Sequence, residues 1–334
     1  MDPLDSSSFE LKSITLGTGR KYEYCDQTPA EYKHDETPIL LLLHGFPEFW
    51  YEWRYQIGPW FRRGWRIVVP NMLGYHGTDK PDDPALYTSL ALAGDIAGFL
   101  DGIDIKHPIV VVSHDWGAVT GWSFATRYPE RTRALVALSV PHQAPLPMEF
   151  TIPQVIEAMG SSWLGYWYFF TSEDGHTKIE ANIPLFIDLL YRSHKTVHPE
   201  LWGVGTIEKI MSGEIANPGP SDVMSEKERQ SYIKYFEANG IDKPLNYYRQ
   251  FPYAFAIQEK LKLNPILPTT MPVLLVAPDH EPFVHPDLVE KSKHFVPSLE
   301  VQPIESAHFV LLERRDEITQ IVGDWVEKAL NRAK

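Results

Sequence analysis

"PIVVVSHDWGAVTG", Pro108 to Gly121, decides the fold. A short, continuous apolar run passes through Ser113-His114-Asp115-Trp116-Gly117 into small residues with helical spacing. A strand that ends in a sharp turn and opens directly into a helix is the outline of a nucleophile elbow. The central residue of such an elbow is held in strained φ/ψ, so its neighbours must be small. Gly117 supplies one such neighbour, whereas Ser113 stands where glycine is commoner. The residue at the apex is an aspartate rather than a serine. A helix starting at Trp116 aims its first N–H groups and positive dipole end at that side chain, which predicts an ionised Asp115.

Outward from this stretch the texture is consistent. "PILLLL" (38–43), "WRIVVP" (65–70), "RALVALSV" (133–140) and "MPVLLVA" (271–277) are likewise short apolar runs, the pattern of central strands buried on both faces. "SLALAGDIAGFLDGI" (89–103) and "GAVTGWSFATRYP" (117–129) carry apolar residues three and four apart, with Pro129 as a stop. Alternation of strand and helix predicts an α/β sheet with right-handed crossovers. Near the N-terminus "SFELKSITL" and "RKYEYCD" alternate apolar and polar residues around "GTG", as in an antiparallel hairpin. The last stretch, "RRDEITQIVGDWVEKALNRAK", reads as an amphipathic helix, acidic first and basic last.

The strand pattern breaks off between about Gln143 and Thr270, where the sequence is Pro-rich and aromatic. Its clearest helix, "SEKERQSYIKYFEANG", opens with a Ser225/Glu228 capping box and closes at Gly240. The expected organisation is a core in two parts, 1–142 and 271–334, with a helical lid at 143–270. Ligands of such sheets bind at the carboxyl ends of the strands.

Composition narrows the function. The 334 residues hold 31 Lys plus Arg against 44 Asp plus Glu, a net charge of −13 that repels phosphate backbones and anionic surfaces and argues against nucleic acid. One cysteine, Cys25, leaves no intramolecular disulfide and no multi-cysteine metal site. "MDPLDSSSFELKS" lacks the apolar region of a secretory signal, and no run reaches the ~20 apolar residues of a membrane span. The expectation is a soluble, cytoplasmic protein.

Several residues outside the elbow suit the same chemistry. In "LLLHGFPE", His44-Gly45-Phe46-Pro47 follows a buried strand, where the Phe46 N–H can join that of Trp116 in an oxyanion hole. His44 itself reads as a structural hydrogen-bonder. Among 13 histidines, His308 alone combines a preceding strand, "LEVQPI", with the small neighbours Ser306 and Ala307, which fits a general base. Its orienting carboxylate comes from "VLLVAPDHEPFVHP", where Asp279 and Glu281 are both placed for the role. A carboxylate nucleophile points to attack at saturated carbon, because the resulting ester can be hydrolysed and a serine ether could not be.

"HGFPEFWYEWRYQI", "PNMLGYHGTDKP" and "SHDWGAVTGW", with His308 and the helical insertion, resemble the epoxide hydrolase branch of the α/β-hydrolase family over nearly the whole chain. The resemblance implies a mostly parallel eight-stranded sheet with an inserted helical lid, and favours Glu281 in "EPFVHP" as the triad acid. It also implies two lid tyrosines. Tyr248 matches in "PLNYYRQF", and Tyr166 in "SSWLGYWYFFTSEDG", with Tyr168 chosen instead if the alignment slips by two residues. Trp163, Trp167, Phe169 and Phe170 are expected to wall an apolar pocket. The implied activity is conversion of a small apolar epoxide to a vicinal diol without a cofactor or metal, with a homodimer left open. Haloalkane dehalogenases share the aspartate elbow, but the position where they often carry a halide-binding Asn is Phe46 here. A ligand-binding homologue without activity is the remaining alternative.

Overall fold

The computed structural model describes residues 1–332. The alternating N-terminal segments form β1 (Leu11–Thr15) and β2 (Lys21–Gln27), an antiparallel pair with Leu11 opposite Cys25. The apolar runs form β3 (Ile39–Leu43), β4 (Arg66–Pro70), β5 (Ile109–His114), β6 (Thr132–Leu138) and β7 (Val273–Pro278). In β3, β4, β5 and β7 every residue is buried. Strands covered on both faces have no wet side, so their sequences show no alternation. Last comes β8 (Leu299–Ile304), largely exposed and carrying Pro303, as an edge strand can.

These make one sheet in the order β1-β2-β4-β3-β5-β6-β7-β8, antiparallel at β1/β2 and β2/β4 and parallel from β4 to β8. Helix Ser89–Gly102 packs on Trp116–Arg127, and Arg54–Phe61 packs on the C-terminal helix Arg315–Arg332. Between β6 and β7 the described residues contain nine helical segments, from Ile152–Met159 to Phe251–Leu261, and no strand. Helix Glu226–Asn239 starts at the Ser225/Glu228 capping box and stops at Gly240, whose φ of 72° lies in the left-handed region. Among the described residues no helix is long and apolar enough to cross a membrane.

A buried ionic cluster fastens that helix to the start of the core helix Arg54–Phe61. The Arg54 guanidinium donates to Glu228 and, at 3.2 Å, to the Tyr232 hydroxyl, while Tyr55 Oη donates to Glu228 Oε1 at 2.6 Å. Burial opposes the charge on Glu228, but Arg54 together with the Ser225 and Tyr55 hydroxyls outweighs it and holds the carboxyl at about 2. Burial instead pushes Glu52, which accepts from Tyr232 Oη, up to about 8. Removing one partner of a buried pair strands the other charge, at a cost of about 3–5 kcal/mol. Arg54→Ala is therefore expected to lower unfolding stability by about that amount, read from urea denaturation followed by tryptophan fluorescence.

Candidate active site

The carboxyl ends of β3, β5, β7 and β8 converge on one place. At the end of β5, Asp115 has φ 52° and ψ −124°, a left-handed backbone conformation that a side chain seldom adopts. Close packing enforces it. A Cβ at Gly117 would overlap the Leu43 carbonyl oxygen, and one at Gly45 would overlap the Asp115 carboxylate. The Phe46 N–H donates to Asp115 Oδ1 at 2.7 Å. Of the two expected oxyanion donors, Phe46 is the one bonded to Asp115; Trp116 opens the helix Trp116–Arg127 immediately after it. The Phe46–Pro47 peptide is cis. His44 holds the turn: Met72 N–H donates to its Nε2 at 2.9 Å and its Nδ1 bonds the Gly45 carbonyl at 3.0 Å. Burial lowers the His44 pKa to about 4, so the ring is neutral.

His308 follows β8 and faces the other carboxylate oxygen, with Nε2 3.5 Å from Asp115 Oδ2. Its Nδ1 bonds Glu281 Oε2 at 2.6 Å. Glu281 is buried, and its second oxygen accepts from the Phe283 N–H at 3.1 Å, which fixes the side chain. Asp279 does not reach the histidine; its Oδ1 accepts from the Ser306 N–H at 3.2 Å. Burial disfavours the charged imidazole, but Glu281 and then Asp115 outweigh it, and the His308 pKa is raised. For Asp115 the outcome differs from the dipole argument. Burial is the largest influence and raises its pKa, against the lowering pull of His308 and the Phe46 N–H.

Over these groups lie two buried tyrosines, Tyr166 and Tyr248, with ring centroids 5.8 Å apart. Burial, reinforced by Asp115 and in Tyr248 first by Tyr166, raises both phenols well above their ordinary value. Tyr168 is 41% exposed. Asp115, Trp116, Tyr166 and Trp167 open onto a cavity of about 550 Å³ lined mainly by Trp122, Val155, Leu164, Phe251, Ile257 and Phe283. A small second recess joins Asp115 and His308 to Phe46, Phe170, Tyr166 and Tyr248. Of the expected aromatic wall, Trp167 lines the large cavity and Phe170 the recess, whereas Phe169 packs against Phe170 and Trp163 stacks on His285.

Two residues had no assigned part in the sequence reading, although both stand inside the quoted motifs. Glu48 and His114 are fully buried; Glu48 Oε1 bonds His114 Nδ1 at 2.6 Å, and Glu48 Oε2 accepts the Gly45 N–H at 2.6 Å. His114 Nε2 bonds the His308 carbonyl at 2.9 Å, which Ser139 Oγ also meets at 3.1 Å. Burial disfavours the charged ring, but Glu48, with Asp115 and Glu52, outweighs it and raises the His114 pKa; through these bonds the pair ties the β3, β5 and β8 loops together. A charged pair of residues flanking the elbow and the "HGFP" turn was the available signal.

Comparison with known proteins agrees with this geometry. A family profile described as "alpha/beta hydrolase fold" matches residues 38–315. Epoxide hydrolase 3 of Siraitia grosvenorii is 30% identical over 87% of this chain and 92% of its own length. Bifunctional epoxide hydrolase 2 of Sus scrofa is 28% identical over 87% of this chain, and the chain spans about half the length of that relative (51%). Among solved structures, potato (Solanum tuberosum) epoxide hydrolase I has 27% identity and a TM-score of 0.78, covering 96% of this chain and 99% of its own. The chain belongs to the α/β hydrolase fold family, in its epoxide hydrolase branch.

Because Glu281 holds the His308 pKa up, Glu281→Gln should lower it and so shift the imidazole titration toward acid. Proton NMR of the His308 ring across pH in both proteins measures the shift.

Proposed function

We propose that the chain hydrolyses an epoxide to a vicinal diol through an alkyl ester on Asp115. The observation that carries this reading is the division of labour at one carboxylate: Oδ1 is taken by the Phe46 N–H while Oδ2 is left toward His308, beneath two buried phenols. The names of the relatives, epoxide hydrolases of plant and animal origin, support the substrate class. In this reading residues 143–270 act as the lid over the two-part core.

In the first half-reaction, Asp115 Oδ2 attacks an epoxide carbon from behind and its C–O bond breaks. The proton for the departing alkoxide comes from Tyr166 or Tyr248, which hydrogen-bond the ring oxygen. Phenols suit this task, being protonated at neutral pH yet far more acidic than an alcohol. Raising their pKa by burial keeps them protonated over the whole working range. In the second half-reaction, His308, oriented by Glu281, takes a proton from water as the hydroxide equivalent adds to Cγ of Asp115. The oxyanion formed at Oδ1 is met by the N–H groups of Phe46 and Trp116, a contact worth about 3 kcal/mol per donor. Collapse breaks the Cγ–Oδ2 bond, the imidazolium gives its proton to the departing alkoxide, the proton left on the new Asp115 carboxyl restores the tyrosine phenol, and the diol leaves with Oδ2. An aromatic wall such as Trp167 and Phe251 selects an apolar substrate.

The deciding experiment is a single turnover of styrene oxide in ¹⁸O-water with excess enzyme. The first diol should be unlabelled at the added oxygen, and mass spectrometry should find the label in the peptide containing Asp115. Label in the first diol with none in the polypeptide overturns the ester. Asp115→Ala should abolish turnover, His308→Gln should accumulate alkylated enzyme visible by intact mass, and Tyr248→Phe should slow alkylation without eliminating it. Bromide release from a bromoalkane, measured beside diol formation, should be the slower reaction; the reverse order would favour a dehalogenase.

A further inference from the structure

Outside the cavity, three residues from separate parts of the chain bring ligand atoms together. His194 comes from the helical insertion, His280 from the loop after β7 and Glu305 from the loop after β8. One nitrogen from each histidine and one oxygen of Glu305 all lie within 4.8 Å of one another, the one such grouping among the described residues. The two imidazole rings stack at 4.9 Å with an interplanar angle of 24°, and His194 Nε2 is 4.0 Å from Glu305 Oε1.

The least exposed of the three is already set up as a ligand. Nδ1 of His194 bonds Glu313 Oε1, which also accepts the His194 backbone N–H at 3.1 Å. A neutral ring that gives its Nδ1–H to a carboxylate carries its lone pair on Nε2, toward the other two groups; a carboxylate behind a histidine is the usual second sphere of a zinc ligand. Glu305 is arranged in the same sense. Its Oε2 accepts from Arg314 at 3.3 Å, and Oε1 is the atom turned to His194. The His280 and Glu305 side chains are 47% and 69% exposed, so side-chain rotation can bring them from this spacing to the bond lengths of about 2.0–2.2 Å that zinc requires.

We infer that His194, His280 and Glu305 form a binding site for a divalent transition-metal ion of the zinc type, bridging the helical insertion and the core. Two nitrogen donors and one carboxylate favour Zn²⁺ over Mg²⁺, which prefers six oxygens including several waters. The ion takes no part in hydrolysis. It binds two loops of the core to the insertion: His280 precedes Glu281, and Glu313 accepts from Ser306 Oγ at 2.9 Å and the Ala307 N–H at 2.8 Å, just before His308.

The test is calorimetric titration of the tag-free chain with ZnCl₂, with MgCl₂ as control, on the wild type, His280→Ala and Glu305→Gln. The expected result is one saturable zinc site per chain, weakened at least about tenfold in His280→Ala, weakened also in Glu305→Gln, and no response to magnesium. Thermal unfolding gives a second reading: zinc should raise Tm in the wild type and not in His280→Ala, because an ion bound only by the folded state stabilises it. Absence of saturable binding, or undiminished zinc affinity in both variants, overturns the site. Neither result bears on the Asp115 ester.

Discussion

A carboxylate buried at the end of an apolar sheet is costly, and most of the surroundings of Asp115 can be understood as a response to that cost. Burial is the strongest influence on this residue and acts against its charge. One hydrogen bond from Phe46 and one facing imidazole work in the opposite direction. The hydrogen bond depends on a tight approach between the β3 and β5 ends, which Gly45 and Gly117 permit because any larger residue there would collide with the carboxylate or with the Leu43 carbonyl. On the proposed reading, leaving the anion only partly compensated is what keeps it reactive. A carboxylate surrounded by three or four donors would be comfortable and a poor nucleophile.

Beneath the site, a second set of buried charges shapes the scaffold. Glu48 and His114 hold the backbone of the two turns and of His308, and Glu52, Arg54, Tyr232 and Glu228 carry the connection on to the helical insertion. Such groups contribute little net stability relative to apolar packing, but each is expensive to lose singly. Their effect is geometric: His308 and Asp115 belong to segments almost two hundred residues apart, and bonds to the His308 carbonyl and the Gly45 N–H hold the loops so that Nε2 and Oδ2 stand 3.5 Å apart.

The core was readable from the sequence because each central strand is buried on both faces and so appears as an unbroken apolar run. Asp115, His308 and the Phe46 turn were readable because the sheet brings strand ends together in a known order. Finer choices were not. Asp279 and Glu281 lie on the same loop, and what separates them is that the Ser306 N–H occupies Asp279 while Glu281 reaches the histidine. Tyr166 and Tyr168 share one short helix, Tyr166–Thr171, where two positions rotate the side chain by about 200°. One therefore faces the cavity and the other solvent, which an alignment by aromatic spacing does not distinguish. Glu48 and His114 escaped because their partners are 66 and 194 residues away. At Asp115 the strongest influence is desolvation, which depends on what packs around the side chain and so leaves no mark in the local sequence.

The helical insertion leaves β6 and returns on β7, and these strands are neighbours paired from Leu135 with Val273 to Leu138 with Val276. The pair is parallel, so the insertion leaves at the carboxyl edge of the sheet and re-enters at its amino edge, and the register fixes the separation of its two ends, whatever lies between them. Lengthening a segment closed in this way adds little entropic penalty, since that penalty grows only with the logarithm of length. The insertion can thus change in length without altering the strand register that holds Asp115, Glu281 and His308 together. In the proposed mechanism Tyr166 and Tyr248 are what tie the insertion to the chemistry, so changes elsewhere in it would reshape the chamber while the ester steps stay on the core.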